Sequence, residues 1–553
     1  MKLWLAMACL GLAGAADAAE VKFDWFEYTG RDEFRAPPPV GHYRNPVLPG
    51  YYPDPSVTRV GDKFYLVNST FAHWPGIPIH ESKDLVHWTL IGHALNDPSK
   101  VKFDGLDISR GVFAPAIEYH DGTFYVINTL VDAGGNFFVT SKSPGGPYSD
   151  PVWLPEVDGI DPSFYFDDDG KAYILNNGPP DRAPLYEGHR AIWMQEFDVA
   201  KRKLVGPRKV IVDGGSDISK KPTWIEGPHL YKIKGSYYLL CAEGGTGAMH
   251  SEVVFRSKSP WGPWEPYKGN PILTQRDLGM NRVGAVTSTG HADLVQKKDG
   301  SWWAVFLGTR PYKDDSYNTG RETFLLPVTW KDGWPIILAP RVAVPPSSPL
   351  SPLSQARKKP RDSKLPPLSG EMRSPTIRDE FAGKSPGPEW LQIYVPKKPW
   401  FATDQGALAI TPQRANLDAK VNTSFLARRQ QDQIFDASTQ ISAGLEPGVA
   451  AGLAAYQNHN HWYFLAARRV ADGLDVFLER RFGQALRIVA LERMALPTTL
   501  KVRIRADGPN YSFDYDAGAG WRTLKENDDG SILSTNTAGG FVGTVLGPFA
   551  RQE

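Results

Sequence analysis

A short two-strand pattern occurs five times in the first 306 residues of the chain, and this repeat constrains the fold more than any other feature. Each copy has a short alternating strand, a polar turn with glycine, and a second strand beginning with an aromatic pair or Ala-Tyr, which is typical of a β-hairpin. The copies begin at Asp54, Ala114, Asp161, Glu226 and His291, so successive starts lie 60, 47, 65 and 65 residues apart. Further strand-turn segments lie between them, and no long window has helical periodicity. The repeat therefore predicts a five-bladed β-propeller.

The first residue of each copy indicates where chemistry is expected. Equivalent positions of propeller blades lie at equivalent depths around one axis, so Asp54, Asp161, Glu226 and His291 are expected to meet there. Charged groups at the axis are costly unless they form a site. A single Asp-Pro could simply cap a hairpin turn, but the matched set as a whole favours a functional site.

A set of three carboxylates is suited to the hydrolysis of glycosidic bonds. One protonated carboxyl donates to the leaving oxygen, one carboxylate activates water, and a third one nearby raises the pKa of the donor. Among the three, Glu226 suits the donor role, because glutamate has the longer reach and the higher intrinsic pKa.

The ends of the chain differ from the repeat region in composition. Residues 1–19 contain Lys2, an apolar run and the small-x-small sequence Ala16-Asp17-Ala18, which is typical of a secretory signal peptide and predicts a secreted or periplasmic protein. The apolar run is shorter than the ~20 residues that a spanning helix needs, so no membrane span is expected.

The remainder is expected to form two domains joined by a linker. We expect the propeller in residues 20–344, with an irregular segment at 20–48, and a Pro-rich linker in 345–375. Residues 376–553 contain alternating runs and predict a β-sandwich, so the fold class is all-β.

Charge and cysteine content exclude several classes of protein. The chain has 62 Lys plus Arg and 61 Asp plus Glu, which excludes a protein that holds nucleic acid by bulk charge. The two cysteines, Cys9 and Cys241, are too few for a zinc cluster or a disulfide framework. Serine-hydrolase, P-loop and HExxH motifs are absent from the sequence.

Several motifs resemble those of family 43 glycoside hydrolases. Residues 45–56 match the opening motif of that family, and residues 159–163 and 226–230 match two further motifs in the same order. The resemblance covers about residues 43–338. It is strongest to the branch of β-xylosidases and α-L-arabinofuranosidases that carry a C-terminal β-sandwich.

The resemblance implies an inverting hydrolase with a five-bladed propeller. Asp54 would be the general base, Glu226 the general acid, and Asp161 the group that modulates the pKa of Glu226. The acid and base carboxyl groups should stand ~6.5–9.5 Å apart. The implied function is exo-acting release of terminal α-L-arabinofuranose, β-D-xylose or both from oligosaccharides derived from plant polysaccharide.

The resemblance also implies residues that bind the sugar. Arg321 would bond sugar hydroxyls, with an ion pair to Glu322 as the alternative. Trp74 and Phe113 would line the pocket, with packing in the core as the alternative. Related enzymes often have Trp in place of Phe113 and Phe in place of Ile160, so the choice of pentose stays open.

His291 matches a family histidine at the propeller axis, near a bound Ca²⁺ or a water cluster in many members. Because Ca²⁺ prefers oxygen ligands, a hydrogen-bonded structural histidine is the alternative. No cofactor is expected to be required, and a structural Ca²⁺ is left open.

Two other functions remain open at this point. An endo-arabinanase would need an open groove, which the added C-terminal domain disfavours, and a non-catalytic carbohydrate-binding propeller would tolerate the loss of a carboxylate. The C-terminal domain could itself bind sugar through Trp462 and Tyr463, or these two residues could belong to its core.

Overall fold

The computed structural model describes residues 20–350, 375–442 and 444–553, and nearly all of its regular elements are β-strands. Five antiparallel sheets, each formed by consecutive strands, follow one another along the chain. In chain order their strands are Ser56–Val60, Lys63–Val67, Gly76–Ser82 and Thr89–Leu95; Ala116–His120, Thr123–Val131, Gly135–Ser141 and Val152–Trp153; Ile160–Phe166, Ala172–Gly178, Ala191–Asp198 and Lys203–Asp213; Glu226–Ile233, Ser236–Glu243, Ser251–Ser257 and Glu265–Pro266; and Thr287–Gln296, Trp302–Thr309, Glu322–Lys331 and Trp334–Ile336. Two short strands, Gly111–Val112 and Leu273–Thr274, add to the second and fourth sheets.

These sheets are the blades of a propeller. The first strands of neighbouring blades contact one another in cyclic order, so they surround a common axis. The ring closes where Asp293 of the last blade accepts hydrogen bonds of 2.8 Å from the Ser56 hydroxyl and the Val57 N–H of the first. The predicted five-bladed propeller is confirmed, because each hairpin repeat forms the first two strands of one blade.

The C-terminal domain is a sandwich of two sheets, as predicted. One sheet contains, in spatial order, Phe401–Asp404, Ala407–Ile410, Val21–Gly30, Ile434–Ser442, Thr499–Asp507, Asn510–Asp516 and Arg522–Asp529, with Thr376–Asp379 also paired to Val21–Gly30. The other contains Ala485–Met494, Gly473–Phe482, His461–Val470, Val449–Asn458, Val545–Gln552, Leu426–Arg429, Leu391–Ile393 and His73–Trp74. Apolar side chains from both sheets fill the space between them.

The N-terminal segment belongs to the sandwich, which corrects the expected domain boundary. Val21–Gly30 lies between Ala407–Ile410 and Ile434–Ser442 in the first sheet, whereas the sequence suggested an irregular segment of the propeller domain. Its alternating burial is that of a strand with one covered face. The partner strands lie far later in the chain, so the local sequence could not indicate this pairing.

The expected linker begins as a strand. Ser347–Pro349 pairs with His42–Arg44, and most of the remainder, 351–374, lies outside the described residues, as does the predicted signal peptide at 1–19. The helical segments within the described ranges are short, namely Glu33–Arg35, Ile218–Lys220, Gly530–Leu533 and Thr535–Ala538. No helix in the described parts of the chain has the length and apolar character needed to cross a membrane.

The two domains share one apolar core. A cluster of buried residues includes Phe71 and Trp74 of the propeller together with Tyr394, Trp462 and Phe549 of the sandwich. Strand His73–Trp74 leaves the first blade and pairs with Leu391–Ile393, so the second sandwich sheet extends into the propeller. Continuous apolar burial of this kind holds the domains in a fixed relation.

Candidate active site

A cavity of about 310 Å³ lies at one end of the propeller axis. It contains the three carboxylates that the repeat predicts to converge, and all three are buried, with exposures of 5%, 5% and 4% for Asp54, Asp161 and Glu226. The other residues of its wall are Phe71, Arg110, Phe113, Ala114, Ile160, Thr223, Trp224, Gly245, Thr246, His291, Arg321 and Phe541. The start positions of all five repeats therefore line one cavity.

Unusual backbone conformation directs these side chains into the cavity. Asp54, Asp161 and His291 have φ values of 53°, 54° and 51°, in the left-handed region that residues other than glycine seldom adopt. The pairing register shifts beside Asp161, between Ile160 and Ser163, and again beside His291, between Gly290 and Asp293. Bulges and positive φ values of this kind re-aim side chains and cluster at functional sites.

Asp54 is held as a carboxylate. One oxygen accepts a hydrogen bond of 2.6 Å from the Ser69 hydroxyl, and the other accepts one of 2.9 Å from the Arg321 guanidinium. Burial opposes ionisation, but Arg321, His291 and Ser69 together outweigh it and keep the pKa of Asp54 below its ordinary value. The group is therefore a base at neutral pH.

The pKa values of Asp161 and Glu226 are raised, in contrast to that of Asp54. Burial, followed by the charges of Asp161 and Asp54, raises the pKa of Glu226 well above its ordinary value. Burial and the charge of Asp54 also raise the pKa of Asp161, although the Gly227 N–H donates to its carboxylate. Because both groups are close and buried, the pair retains a proton when Asp54 is ionised.

His291 lies beside all three carboxylates as a neutral imidazole. Its Nδ1 is 3.8 Å from an oxygen of Asp54, and burial lowers its pKa to about 4. Its ring lies against Gly227, where an added Cβ would come within 2.8 Å of Nε2. Gly227 has φ = 57°, so glycine is needed there both for its backbone and for the space that the imidazole occupies.

The donors around His291 are poorly suited to calcium. Ligand atoms of Asp161, Glu226 and His291 lie within 4.8 Å of one another. Calcium takes 6–8 oxygen ligands, whereas this group offers one nitrogen and two carboxyl groups whose pKa values are raised. The structural Ca²⁺ that the sequence left open stays a prediction, and no chemical step requires it.

Arg321 is buried beneath an aromatic wall. Its guanidinium carbon is 5.8 Å from the ring centre of Phe71 and 5.5 Å from that of Phe541. Its Nε is buried and has no hydrogen-bond partner among the described residues. Glu322, the alternative partner considered from the sequence, is paired with Arg310 instead.

Three phenylalanines form the apolar wall of the cavity. The ring of Phe113 lies 5.5 Å from that of Phe71 and 5.8 Å from that of Phe541. Phe541 belongs to the sandwich domain, and its backbone N–H donates to the Ser109 hydroxyl of the propeller at 2.9 Å. The cavity is consequently built from both domains.

Trp74 does not line the cavity, contrary to the expectation from the resemblance. It is 3% exposed, lies in the interdomain core near Phe103, and pairs through its backbone with Gln392. Phe71, three residues earlier, is the aromatic residue that reaches the cavity. Its φ of 53° turns it inward, and no residue pattern in the sequence indicated this conformation.

The candidate sugar platform of the second domain is also core. Trp462 and Tyr463 are both 0% exposed; the first packs in the interdomain cluster and the second between the two sandwich sheets. The interpretation of these residues as core is confirmed.

Comparisons with known proteins agree with this site. A model described as glycosyl hydrolases family 43 matches residues 43–335, and one described as the beta xylosidase C-terminal concanavalin A-like domain matches residues 378–553. The chain is 38% identical over 525 residues to a non-reducing end alpha-L-arabinofuranosidase of Bacteroides ovatus, covering 92% of this chain and 91% of that protein. It is 49% identical over 295 residues to a xylosidase/arabinosidase of Butyrivibrio fibrisolvens, covering 53% of this chain and 56% of that protein.

A solved structure has the same two-domain architecture. The crystal structure of a GH43_12 retrieved from a capybara gut metagenome superposes with a TM-score of 0.87 at 37% sequence identity, covering 97% of this chain and 100% of that one. The similarity thus extends over both the propeller and the sandwich. The chain belongs to family 43 of the glycosyl hydrolases.

Proposed function

We propose that the protein is an exo-acting, inverting glycoside hydrolase that releases terminal pentose from hemicellulose oligosaccharides. The observation that carries the proposal is one compact cavity in which three buried carboxyl groups face an apolar wall completed by Phe541 of the second domain. A wall supplied by a second domain favours a pocket for a chain end over the open groove that an endo-arabinanase needs.

In this proposal the proton donor is Glu226. Its carboxyl group is kept protonated by burial and by the two neighbouring carboxylates, so it can protonate the glycosidic oxygen as the bond to the sugar breaks. Asp161 acts through Glu226, since its negative charge opposes early loss of the proton.

The base is Asp54. It takes a proton from a water molecule while the water oxygen bonds to the anomeric carbon from the face opposite the leaving group. Arg321 and the Ser69 hydroxyl hold this carboxylate in place. The products are a free pentose of inverted anomeric configuration and a shortened oligosaccharide whose new hydroxyl carries the proton from Glu226. Asp54 then releases its proton to solvent and Glu226 takes one up, which restores the enzyme.

Two p-nitrophenyl substrates test directly which pentose the enzyme releases. We expect p-nitrophenol release from the α-L-arabinofuranoside, the β-D-xylopyranoside or both, because the relatives carry names of both activities. Glu226→Gln should abolish turnover of the matching disaccharide, whereas Glu265→Gln, an exposed glutamate at the outer edge of the same blade, should leave it unchanged. Absence of release by a folded wild-type enzyme would refute the proposal.

The stereochemistry has its own test. Proton NMR during the first minutes of reaction should show the inverted anomer, β-L-arabinofuranose or α-D-xylose, before mutarotation. First appearance of the retained anomer would contradict the assignment of Asp54 as a base that activates water, and would make it a nucleophile.

We also propose that the protein acts outside the cytoplasm, because residues 1–19 have the pattern of a signal peptide. N-terminal sequencing of the protein from periplasmic and culture fractions should give a chain that begins at Glu20. Recovery of the chain with Met1 intact from the cytosol would contradict this.

A further inference from the structure

Trp224 lies at the mouth of the cavity, two residues before Glu226. It is 36% exposed and belongs to the cavity wall together with Thr223, Gly245 and Thr246. Its φ is 61°, and its backbone N–H donates to the Gly188 carbonyl at 2.8 Å. A bulky residue in this conformation is strained, and such strain persists where the surroundings fix it.

Arg190 fixes the indole from one side. Its guanidinium carbon stands 4.7 Å from the centre of the Trp224 ring, which is cation–π geometry. Within the described ranges Arg190 has no carboxylate within 4.0 Å; its Nε and Nη2 donate instead to Asn177 Oδ1 at 3.1 and 2.9 Å. Asn177 in turn donates to the carbonyl of Ile225, the residue between Trp224 and Glu226.

Arg190 and Asn177 support the short segment that precedes Glu226. Arg190 and Asn177 together hold the side chain of Trp224 and the backbone of Ile225. Arg190 covers one face of the indole, and Trp224 keeps 36% of its surface exposed at the cavity. An exposed aromatic face beside polar groups is a surface on which a sugar ring can stack.

The position of the Trp224 indole indicates which sugar of the substrate it would contact, namely the leaving group. The phenylalanine wall lies beside Arg321, which is bonded to Asp54, whereas Trp224 lies on the strand entry that carries Glu226. The proton donor must face the glycosidic oxygen, so the sugar beyond that oxygen lies on the Glu226 side.

We propose that Trp224, clamped by Arg190, is the platform for the sugar that becomes the leaving group and positions Glu226 towards the bond that breaks. This inference rests on the proposed function and adds the substrate's second ring to it. The indole N–H of Trp224 also acts on Glu226, since it lowers the pKa of that carboxyl group against the larger raising effect of burial.

The test compares two leaving groups of different size. The probes are xylobiose or arabinobiose, whichever the wild type cleaves, and the methyl glycoside of the same pentose, which has no second ring. We expect Trp224→Ala to lower kcat/KM for the disaccharide at least tenfold more than for the methyl glycoside, mainly through KM. Competitive inhibition by the free pentose should change less than twofold.

Two further variants separate the platform from the hydrogen bond. Trp224→Phe keeps an aromatic face but has no N–H, so it should retain most of the preference for the disaccharide. Its pH profile should differ: loss of a donor that favours the carboxylate raises the pKa of Glu226 and moves the alkaline limb to higher pH. Trp521→Ala is the matched control, because Trp521 is 39% exposed and stacks on Arg503 at 4.2 Å in the sandwich.

The outcomes distinguish this inference from the proposed function. Equal losses on both substrates in Trp224→Ala, or an unchanged ratio, would overturn the platform while leaving the hydrolase intact. If Trp224→Ala fails to fold, loss of the disaccharide preference in Trp224→Phe would overturn the platform, and its retention with a shifted alkaline limb would support it. If the wild type cleaves neither probe, the proposed function itself fails.

Discussion

Arg310 is the centre of an ion-pair network that joins the N-terminal segment, the propeller and the sandwich. Its guanidinium contacts both oxygens of Glu322, at 2.6 and 3.0 Å, and Asp32 at 2.6 Å. It also donates to the carbonyl of Gln431 in the sandwich at 2.8 Å. We predict that Arg310→Met destabilises the protein strongly although it leaves the cavity wall intact.

The magnitude follows from what remains after the substitution. The Glu322 side chain is 0% exposed, so without Arg310 it becomes a buried charge. Its remaining donors among the described residues are the N–H of Gly50 and the Thr319 hydroxyl. Breaking a buried pair by removing one partner costs about 3–5 kcal/mol. Asp32 contributes little to this loss, because it still accepts from the backbone N–H groups of Gln433 and Ile434.

The assay is urea unfolding followed by far-UV circular dichroism and by tryptophan fluorescence. The shift of the midpoint equals the loss of free energy divided by the slope of that transition. In the double variant Arg310→Met with Glu322→Gln the unpaired charge of Glu322 is removed, so we expect it to be more stable than Arg310→Met alone. Arg378→Met is the matched control, since its pairs with Glu27 and Glu380 are at the surface and should cost at most about 1 kcal/mol.

Two results would refute this reasoning. A loss below about 1 kcal/mol in Arg310→Met would show that Glu322 is solvated or protonated at little cost. A double variant as unstable as the single one would show that the loss arises from missing packing against Phe34, which Arg310 overlies at 4.7 Å, rather than from the unpaired carboxylate.

Three shorter predictions concern the cavity. Ser69→Ala removes a hydrogen bond that favours ionised Asp54, so the pKa of Asp54 should rise and the acidic limb of the kcat/KM profile should move to higher pH. An unchanged acidic limb would show that this limb does not report the ionisation of Asp54. Phe541→Ala should lower kcat/KM for the pentoside about tenfold or more with little change in melting temperature, because the ring walls the cavity while its backbone still bonds to Ser109. Gly227→Ala should displace His291 and lower kcat at least tenfold, with a strain cost of about 1–3 kcal/mol in urea unfolding, and normal activity would contradict the close packing of that ring.

The convergence of the carboxylates was predictable because residues at the same position of a structural repeat occupy equivalent places in the fold. Asp54, Asp161 and Glu226 occupy the same position of their hairpins, and a closed ring converts equal positions into proximity. No detail of side-chain packing was needed for this prediction. The same holds for the five blades, whose strands are local hairpins with turns between them.

Residues outside the repeat were not predictable in this way. Trp74 and Phe71 are close neighbours in one loop, and only the left-handed conformation of Phe71 and the pairing of Trp74 with Gln392 determine which one faces the cavity. The backbone of Phe71 pairs with Val112 of the second blade, and Trp74 pairs with the second domain, so both conformations depend on contacts that the local sequence does not contain. The strand Val21–Gly30 was misplaced for the same reason.

Phe541 shows how far this dependence on the second domain extends into the site. The loop that carries it is fixed at both sides: its N–H bonds to Ser109 of the propeller, and the carbonyls of Gly539 and Val542 accept from Gln457 of the sandwich. The wall beside Arg321 is therefore part of a rigid frame. The segment that carries Trp224 leads into the strand of Glu226, and the residues that support it, Arg190 and Asn177, belong to the propeller. It follows that substitutions in the Phe541 loop should act on the terminal pentose, whereas substitutions around Trp224 should act on the sugar to which that pentose is attached.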